Sequence, residues 1–344
     1  MRSRWFPAAA ALLLFGTFSC GVSHADETPP PADVSLDFYA EPGQLVDIGG
    51  GRKLNLRCSG SGAPTVVLDI GTGMTSMSWR KVQPLIAATH RVCSYDRAGF
   101  AFSDPGPPPR NAQAEADDLY ALVHAAKLET PLILVGHSRA SFIARLYASA
   151  HPADIAGLVL VDPGSETLDA DAPVYAKTEA KLIAENNEFT RKCADAARKG
   201  DLAKATPAAQ ECVPGAIPGL SQKLSESIRD RYRRLSWWEA ALSERESDAA
   251  NAAAVKAAKL PKDIPLVVLS AEGGRDWVPP AERAAADAAY SKAHQRIAAQ
   301  SSHGVVVTVD KASHDMQENR PDAIADAVEQ IDRQIKAGGA PAAR

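Results

Sequence analysis

The sequence has no surplus of basic residues. Its 344 residues include 38 Lys and Arg against 42 Asp and Glu, a formal net charge of −4 at pH 7. Because a nucleic-acid-binding surface needs concentrated positive charge, this balance argues against nucleic acid as a partner. The composition, 45% hydrophobic and 23% charged, predicts one large globular domain with an inserted subdomain.

The short motifs that hold metals and cofactors are also missing. No Cys-x-x-Cys pair and no cluster of Cys and His occurs at the spacing of a zinc site. Gly71 and Gly73 lie close together, but neither Gly-Lys-Ser/Thr nor Gly-x-Gly-x-x-Gly follows, so a phosphate-binding loop is not indicated. We therefore expect no metal and no cofactor.

The apolar run near the N-terminus is too short to span a bilayer comfortably. It covers residues 8–18, follows Arg2 and Arg4, and precedes small residues up to Ala25. This pattern predicts a secretory signal at residues 1–25. We expect a periplasmic or secreted protein with no stable membrane insertion after cleavage. A lipid anchor at Cys20 is the weaker alternative, because residues 17–19 match a lipoprotein cleavage site poorly.

Only four cysteines remain after cleavage: Cys58, Cys93, Cys193 and Cys212. An even number in an exported chain favours disulfides. Four cysteines allow three pairings, and the sequence alone does not choose among them. We favour Cys58–Cys93 together with Cys193–Cys212.

Short apolar runs alternate with helical patterns along most of the chain. The first two runs flank Gly49-Gly-Gly51, which predicts a hairpin, and the later ones are continuous and β-branched, as in buried parallel strands. The alternation stops between about residues 165 and 260, where the composition favours helices. We therefore predict an α/β fold: a mostly parallel eight-stranded sheet with flanking helices and a helical cap inserted after the sixth strand.

This organisation divides the chain into five predicted segments. They are a signal peptide (1–25), a leader (26–44), an α/β core (45–164 and 261–335), a helical cap (165–260) and a flexible tail (336–344).

The most informative motif is Gly136-His-Ser-Arg-Ala140, which directly follows the apolar run 132–135. A buried strand that enters Gly-x-Ser and then a helix is typical of a nucleophile elbow, in which a tight turn exposes the serine oxygen. A serine hydroxyl attacks only after a base takes its proton. Ser138 therefore predicts a histidine, an acid that orients it and backbone donors for an oxyanion.

His314 is the predicted base, because it follows the last apolar run and so reaches the same sheet edge as Ser138. The other histidines have ordinary explanations; His294, for example, is expected on a surface helix. Chain order favours Asp276 as the acid, in a loop after the run 265–269. Asp162 and Glu272 are its rivals.

The oxyanion donors are predicted to be the backbone N–H groups of Arg139 and Thr72. Thr72 lies between Gly71 and Gly73, which let the backbone approach a ligand closely. Met74 and Met77 follow the same loop and are candidates for an apolar substrate pocket.

These segments in this order resemble the capped, esterase- and lipase-like branch of the α/β-hydrolase superfamily. The matching stretches are Val66-Val-Leu-Asp-Ile-Gly-Thr-Gly73, Tyr95-Asp-Arg-Ala-Gly-Phe-Ala-Phe-Ser-Asp104, Val135-Gly-His-Ser138, Gly157-Leu-Val-Leu-Val-Asp-Pro163, Asp276-Trp-Val-Pro279 and Ser313-His314. The resemblance implies the α/β-hydrolase fold, the roles given above to the predicted site residues, and a strand order that places Cys58 beside Cys93.

Two departures from the family pattern concern the site. Ile70-Gly71 stands where the family usually has His-Gly, and Ala140 stands where the elbow usually has Gly. One added methyl is the smallest intrusion, so we expect Ala140 to be tolerated. The Arg139 side chain has two readings, a bond to a neighbouring acid or a preference for anionic substrates.

The predicted function is an exported hydrolase that cleaves esters of small or medium apolar acids through Ser138, His314 and Asp276. The same residues could serve an amide, lactone or carbon–carbon bond hydrolase, and a non-catalytic binding protein on the same fold is the alternative from another class. Epoxide and haloalkane hydrolysis are disfavoured, because the relatives with those activities attack with an aspartate at the position of Ser138.

Overall fold

The computed structural model describes residues 34–338 except Gly274 and Asp276. The predicted signal, Cys20 and the last residues of the predicted tail lie outside the described residues. The strands are β1 (Gln44–Asp47), β2 (Lys53–Ser59), β3 (Val66–Asp69), β4 (Val92–Tyr95), β5 (Leu132–His137), β6 (Ile155–Val161), β7 (Leu266–Ala271) and β8 (Gly304–Val309).

The α-helices follow in chain order, and they are joined by short 3₁₀ turns. They are α1 (Gln83–Ile86), α2 (Ala112–Ala125), α3 (Ala140–Ala150), α4 (Leu168–Asp171), α5 (Pro173–Arg198), α6 (Pro207–Cys212), α7 (Gln222–Tyr232), α8 (Leu235–Glu246), α9 (Asp248–Ala257), α10 (Pro280–Ala298), α11 (Met316–Asn319) and α12 (Pro321–Gly338). The helix α12 continues into the first residues of the predicted tail.

The strands form one eight-stranded sheet in the described part of the chain, in the order β1-β2-β4-β3-β5-β6-β7-β8. The hairpin β1–β2 and the pair β2–β4 are antiparallel, and every other neighbouring pair is parallel. The predicted hairpin, the mostly parallel sheet and its eight strands are thereby confirmed. Cys58 stands opposite Cys93 in the register of β2 and β4.

The central strands are apolar because both faces of the sheet are covered. Every residue of β5 and of β6 is buried, which is why their sequences read as continuous runs rather than alternating ones. One face packs against α2 and α3 around Leu134 and Ile143, and the other packs against α12 around Val135 and Ile331. These layers fix the ends of the parallel strands, where the candidate site lies.

A helical insert, α4 to α9, lies between β6 and β7, as predicted. Its own core contains Trp237, Trp238 and the disulfide Cys193–Cys212. The second disulfide joins Cys58 to Cys93, so both bridges of the favoured pairing are present. Among the described residues, none of the helices has the length and apolar character that crossing a bilayer requires.

The described part of the predicted leader is ordered and contacts the insert. Residues Val34–Ala40 form a 3₁₀ helix, and Tyr39 packs with Leu224 and Ile228 of α7. The hydroxyl of Ser227 also donates to the carbonyl of Ala40 at 2.9 Å. The chain before β1 also contacts β2 of the sheet, because the Arg57 guanidinium lies over the Tyr39 ring, so it is tied to both the insert and the sheet.

Candidate active site

Ser138 lies at a sharp turn between β5 and α3. Its φ is 53°, in the left-handed region that L-residues seldom adopt. A side chain at Gly136 would bring its Cβ within 2.7 Å of the carbonyl oxygen of Ala140, so only glycine allows strand and helix to approach this closely. The Ala140 methyl is buried in the core beside α2 and α3, as expected of a tolerated change.

His314 joins Ser138 to a buried carboxylate. The Ser138 Oγ lies 2.9 Å from His314 Nε2, and His314 Nδ1 lies 2.7 Å from Asp162 Oδ2. His314 is 28% exposed, whereas the Asp162 side chain is fully buried. The imidazole is therefore held on its Nδ1 side by a buried carboxylate, while the ring as a whole stays partly accessible.

Asp162 follows β6 and is held by several donors besides the histidine. Its Oδ1 accepts the Ala271 backbone N–H at 3.1 Å and an Arg275 guanidinium N–H at 3.0 Å. Burial alone would raise the pKa of Asp162, but the hydrogen bond and charge of His314, with the charge of Arg275, hold it well below its usual range. The carboxylate is thus ionised and ready to orient the imidazole.

This geometry favours a rival of the predicted acid. Asp276, favoured by chain order, lies outside the described residues, and the oxygen at His314 Nδ1 belongs to its rival Asp162. Glu272 is exposed. The strands β6 and β7 end at the same sheet edge, so an acid after either one can face the loop of His314. The sequence feature that could have indicated Asp162 is the tripeptide Val161-Asp-Pro163, which ends the buried strand.

Of the two predicted oxyanion donors, Arg139 follows Ser138 in the chain, and Thr72 lies in a loop that contacts the elbow. A Cβ on Gly71 would lie 3.3 Å from the Ser138 Cβ, so the loop 70–73, called here the oxyanion loop, touches the elbow. No described residue accepts a hydrogen bond from the backbone N–H of Thr72 or of Arg139. Two free donors beside a serine oxygen are what an oxyanion requires.

The oxyanion loop is held from below by Arg97, which follows β4. Its Nη2 donates to the Gly71 carbonyl at 2.7 Å, its Nη1 donates to Asp69 at 2.7 Å, and its Nε donates to Glu244 at 2.8 Å. The other oxygen of Glu244 accepts the Gly73 N–H at 2.8 Å. Glu244 belongs to the insert, and no motif marked it in the sequence.

The Arg139 side chain turns away from the substrate side. It is buried, pairs with Glu115 of α2 and donates to the carbonyl of Arg110 at 3.0 Å. The first of its two readings, a bond to a neighbouring acid, is confirmed. Together Asp69, Arg97, Glu115, Arg139 and Glu244 form a buried charge cluster under the oxyanion loop.

The carboxyl groups of this cluster differ in protonation. Burial raises the pKa of Glu115 to about 8, although Arg139 opposes the effect. Burial acts on Glu244 as well, but the charges of Arg97 and Arg139 outweigh it and lower its pKa to about 2. Glu244 is therefore the permanent anion that Arg97 and the oxyanion loop share.

Two further histidines support the site. His137 donates from Nε2 to the carbonyl oxygen of His314 at 2.8 Å, and burial lowers the pKa of His137 to about 4, so it stays neutral. His294, expected on a surface helix, is fully buried. Its Nε2 lies 3.0 Å from the Pro163 carbonyl oxygen, because α10 packs this face against β7.

The walls around His314 are partly aromatic. Trp277 stacks edge-on against the imidazole with ring centroids 5.5 Å apart, and its Nε1 donates to the Tyr175 hydroxyl at 3.3 Å. Met74 packs against the core on the α12 side, and Met77 packs against the cluster of Tyr39 and α7. These contacts do not bring Met77 to the serine, and the pocket role of both methionines stays a prediction.

A comparison with known proteins finds a protein family that matches this chain. A model described as "Alpha/beta hydrolase family" matches residues 66–327. Over 130 residues the chain is 38% identical to a protein of Hormonema carpetanum named "Probable transporter efuK", covering 36% of this chain and 18% of that protein. Over 132 residues it is 33% identical to 2-hydroxymuconate semialdehyde hydrolase of Pseudomonas sp. strain CF600, covering 36% and 46%. The chain thus spans less than half the length of either relative.

Solved structures show the same fold. A loop variant of haloalkane dehalogenase from Bradyrhizobium elkanii superposes with a TM-score of 0.56 and 18% identity, covering 87% of this chain and 97% of that one. At this identity the similarity concerns the fold alone.

Proposed function

Because the chain belongs to the alpha/beta hydrolase family, we propose that it is an exported serine hydrolase that cleaves carboxylic esters. The observation that carries the proposal is the position of His314, 2.9 Å from the Ser138 Oγ and 2.7 Å from the Asp162 carboxylate. A serine oxygen with a base and an orienting acid in line is the arrangement that activates a nucleophile.

The proposed reaction has two halves. Ser138 Oγ bonds to the ester carbonyl carbon while His314 Nε2 takes its proton, and the Thr72 and Arg139 amides bind the carbonyl oxygen as it becomes negative. The tetrahedral intermediate then releases the alcohol, which receives that proton from His314. Water, deprotonated by His314, cleaves the acyl-enzyme to the acid and restores Ser138.

Ser138 chemistry also separates this proposal from the haloalkane dehalogenase that shares the fold, because an aspartate nucleophile is expected at that position for such chemistry. Export rests on the N-terminal pattern, and the two disulfides are compatible with an extracellular location.

The test is a panel of 4-nitrophenyl esters of graded acyl length, with Ser138→Ala as the matched control. We expect ester hydrolysis by the wild type and a loss of about 10⁶ in kcat for the variant, since triad members act as a unit. A fluorophosphonate probe should label Ser138. Undiminished turnover by the alanine variant would refute the mechanism, and a wild type that neither turns over esters nor is labelled would favour a binding protein.

A carbon–carbon bond hydrolase with the same triad is the second candidate. It is favoured by the 33% identity over 132 residues to an enzyme named for 2-hydroxymuconate semialdehyde. That compound therefore belongs in the panel. Turnover of it without any ester turnover would replace the ester proposal while leaving Ser138 as the nucleophile.

A further inference from the structure

One arginine of the insert has no partner in the protein. Arg245, near the end of α8, makes no hydrogen bond and no ion pair with any residue that the structure describes, and its Nε is buried. In the described chain, seven arginines have a buried Nε without a hydrogen-bond partner. Six of them still bind through the guanidinium: Arg57, Arg110, Arg139, Arg229, Arg231 and Arg283. Arg245 is the exception.

Arg245 lies close to the oxyanion loop. Its Nη2 is 3.9 Å from the position that a Cβ on Gly73 would occupy, and a Cβ on Gly71 of the same loop would lie 3.3 Å from the Ser138 Cβ. Two residues of chain span about 7 Å at most. The guanidinium and the serine are therefore within reach of a single small substrate.

The neighbouring carboxylates leave Arg245 free. Both oxygens of Glu244 are engaged, one by the Arg97 Nε at 2.8 Å and the other by the Gly73 N–H at 2.8 Å. Asp248, at the start of α9, forms no ion pair with Arg245 in the described structure. Burial lowers the pKa of Arg245, and the charges of Glu244 and Asp248 offset this only in part.

An unpaired, half-buried guanidinium needs an anion. The charges of Glu244 and Asp248 act on Arg245 from nearby, but its N–H groups have no acceptor in the described protein, and withdrawing such donors from water is unfavourable. The planar fork of arginine fits a carboxylate through two parallel hydrogen bonds.

We infer that Arg245 is a specificity-determining residue, and that the substrate is an ester bearing a free carboxylate a few bonds from the scissile carbonyl. The inference rests on the proposed function. Arg139, the arginine next to the nucleophile, is excluded from this role because its guanidinium is buried and already bonds the Glu115 carboxyl and the Arg110 carbonyl. Arg245 would bind the carboxylate while the oxyanion loop holds the reacting carbonyl.

Two matched pairs of esters test the inference, one for each side of the ester bond. On the acyl side, mono-4-nitrophenyl adipate is compared with 4-nitrophenyl hexanoate; on the alcohol side, 4-carboxyphenyl butanoate is compared with phenyl butanoate. In at least one pair, we expect the wild type to show a kcat/KM at least tenfold higher for the carboxylate ester.

Arg245→Gln should lower kcat/KM for that ester by roughly tenfold to a hundredfold, mainly through KM, because a hydrogen bond to a charged group is lost. Hydrolysis of its neutral partner should change less than about threefold. Arg245→Lys should restore part of the preference, since lysine keeps the charge without the fork. Arg198→Gln, an exposed cation of α5, controls for the loss of one positive charge in the insert.

The outcomes separate the inference from the proposed function. If the wild type hydrolyses neutral esters with no preference for the carboxylate member of either pair, or if Arg245→Gln slows both members of a pair equally, the inference is overturned while the serine hydrolase stands. If no ester is hydrolysed and Ser138 is not labelled by the fluorophosphonate, the proposed function fails. Labelling of Ser138 in Arg245→Gln verifies that the variant is folded.

Discussion

Two of the three proposed catalytic side chains lie on left-handed backbone. Ser138 has a φ of 53° and Asp162 a φ of 40°, which costs a non-glycine residue roughly 1 kcal/mol or more. Both amides are tied to the next strand: the Ser138 N–H donates to the Val161 carbonyl at 2.9 Å and the Asp162 N–H to the Leu269 carbonyl at 2.8 Å. The sheet thus holds both residues in turns that aim them at His314.

Asp162→Asn is expected to reduce kcat by about 10⁴, because an amide cannot keep the imidazole in the required tautomer. The shape of the side chain is preserved, so the loss should come without a large change in KM. The measurement is steady-state hydrolysis of the best 4-nitrophenyl ester.

Asp276→Asn is the matched control for that variant. It should change kcat only a few-fold, because Asp162 already occupies the Nδ1 side of His314. The opposite ranking, a slow Asp276 variant and an active Asp162 variant, would return the role of the acid to Asp276.

The sequence pointed to the proposed nucleophile and base through local motifs, but it left three candidates for the acid, for a reason that lies in sheet geometry. Ser138 sits in a local motif, and His314 follows a recognisable last strand. The acid is defined only by its distance from His314, and parallel strands that end at one edge offer several acids at once. Choosing between Asp162 and Asp276 therefore requires the distance of each carboxylate from His314 in the folded protein.

At the scale of elements, α8 of the insert reaches into the floor of the site. Its Glu244 bonds the backbone of Gly73 and the guanidinium of Arg97, and Arg97 in turn bonds the carbonyl of Gly71. The loop that carries the proposed oxyanion donor is consequently fixed by a helix that belongs to the insert and not to the sheet.

Glu244→Ala is expected to lower kcat by roughly tenfold to a hundredfold, less than the direct loss of an oxyanion donor, with KM little changed. Glu244→Gln should be milder because its amide oxygen can still accept one of the two bonds. Glu239→Gln, an exposed acid on the same helix, is the control.

Stability must be measured beside the rates, because Glu244→Ala leaves Arg97 buried with one partner fewer. Removing one member of a buried pair costs about 3–5 kcal/mol, so thermal unfolding of each variant is needed. A folded Glu244→Ala enzyme with unchanged kcat would show that α8 has no part in positioning the loop.

The elements themselves were largely predictable, whereas their contacts were not. Alternating apolar runs and helical patterns gave the hairpin, the parallel strands and the position of the insert, because each depends on local periodicity. Glu244 and Arg245 stand in a helix without any motif. Their contacts form only when α8 packs against a loop about 170 residues earlier in the chain, and no local sequence pattern encodes that contact.

At the scale of the whole molecule, five separate segments of the chain meet in the buried charge cluster. The cluster contains three carboxyl groups but only two guanidinium groups. If all five were ionised, the cluster would carry a net negative charge. Glu115 retains the proton, since burial raises its pKa to about 8 while that of Glu244 falls to about 2.

The free energy of unfolding should fall as the pH rises from about 6.5 to about 8; below that range the lowered pKa of the buried His137 acts in the opposite direction. Between about pH 6.5 and about pH 8 the folded chain keeps a proton on Glu115 that the unfolded chain has released, which contributes at most about 1.4 kcal/mol per pH unit. Asp248, whose pKa burial raises to about 6, acts in the same direction. Asp162, with a lowered pKa, loses its contribution only in more acidic solution.

Urea unfolding at pH 5.5, 7 and 8.5 measures this dependence, and Glu115→Gln provides the comparison. The glutamine cannot ionise, so the variant should lose less stability than the wild type between pH 5.5 and 8.5. Parallel pH profiles for the two proteins would contradict the assignment of the proton to Glu115.

The bond from Glu244 to Gly73 limits how the chain can be re-engineered. An insert taken from a relative would have to present an acid at the same point, or Arg97 and the loop above Ser138 would lose their shared anion. In our inference the next residue, Arg245, binds the carboxylate of the substrate. A chimera with a new insert would therefore have a low kcat even for substrates that the new insert binds. The reason is that substrate choice and catalytic rate depend on two adjacent residues of one helix, Arg245 and Glu244.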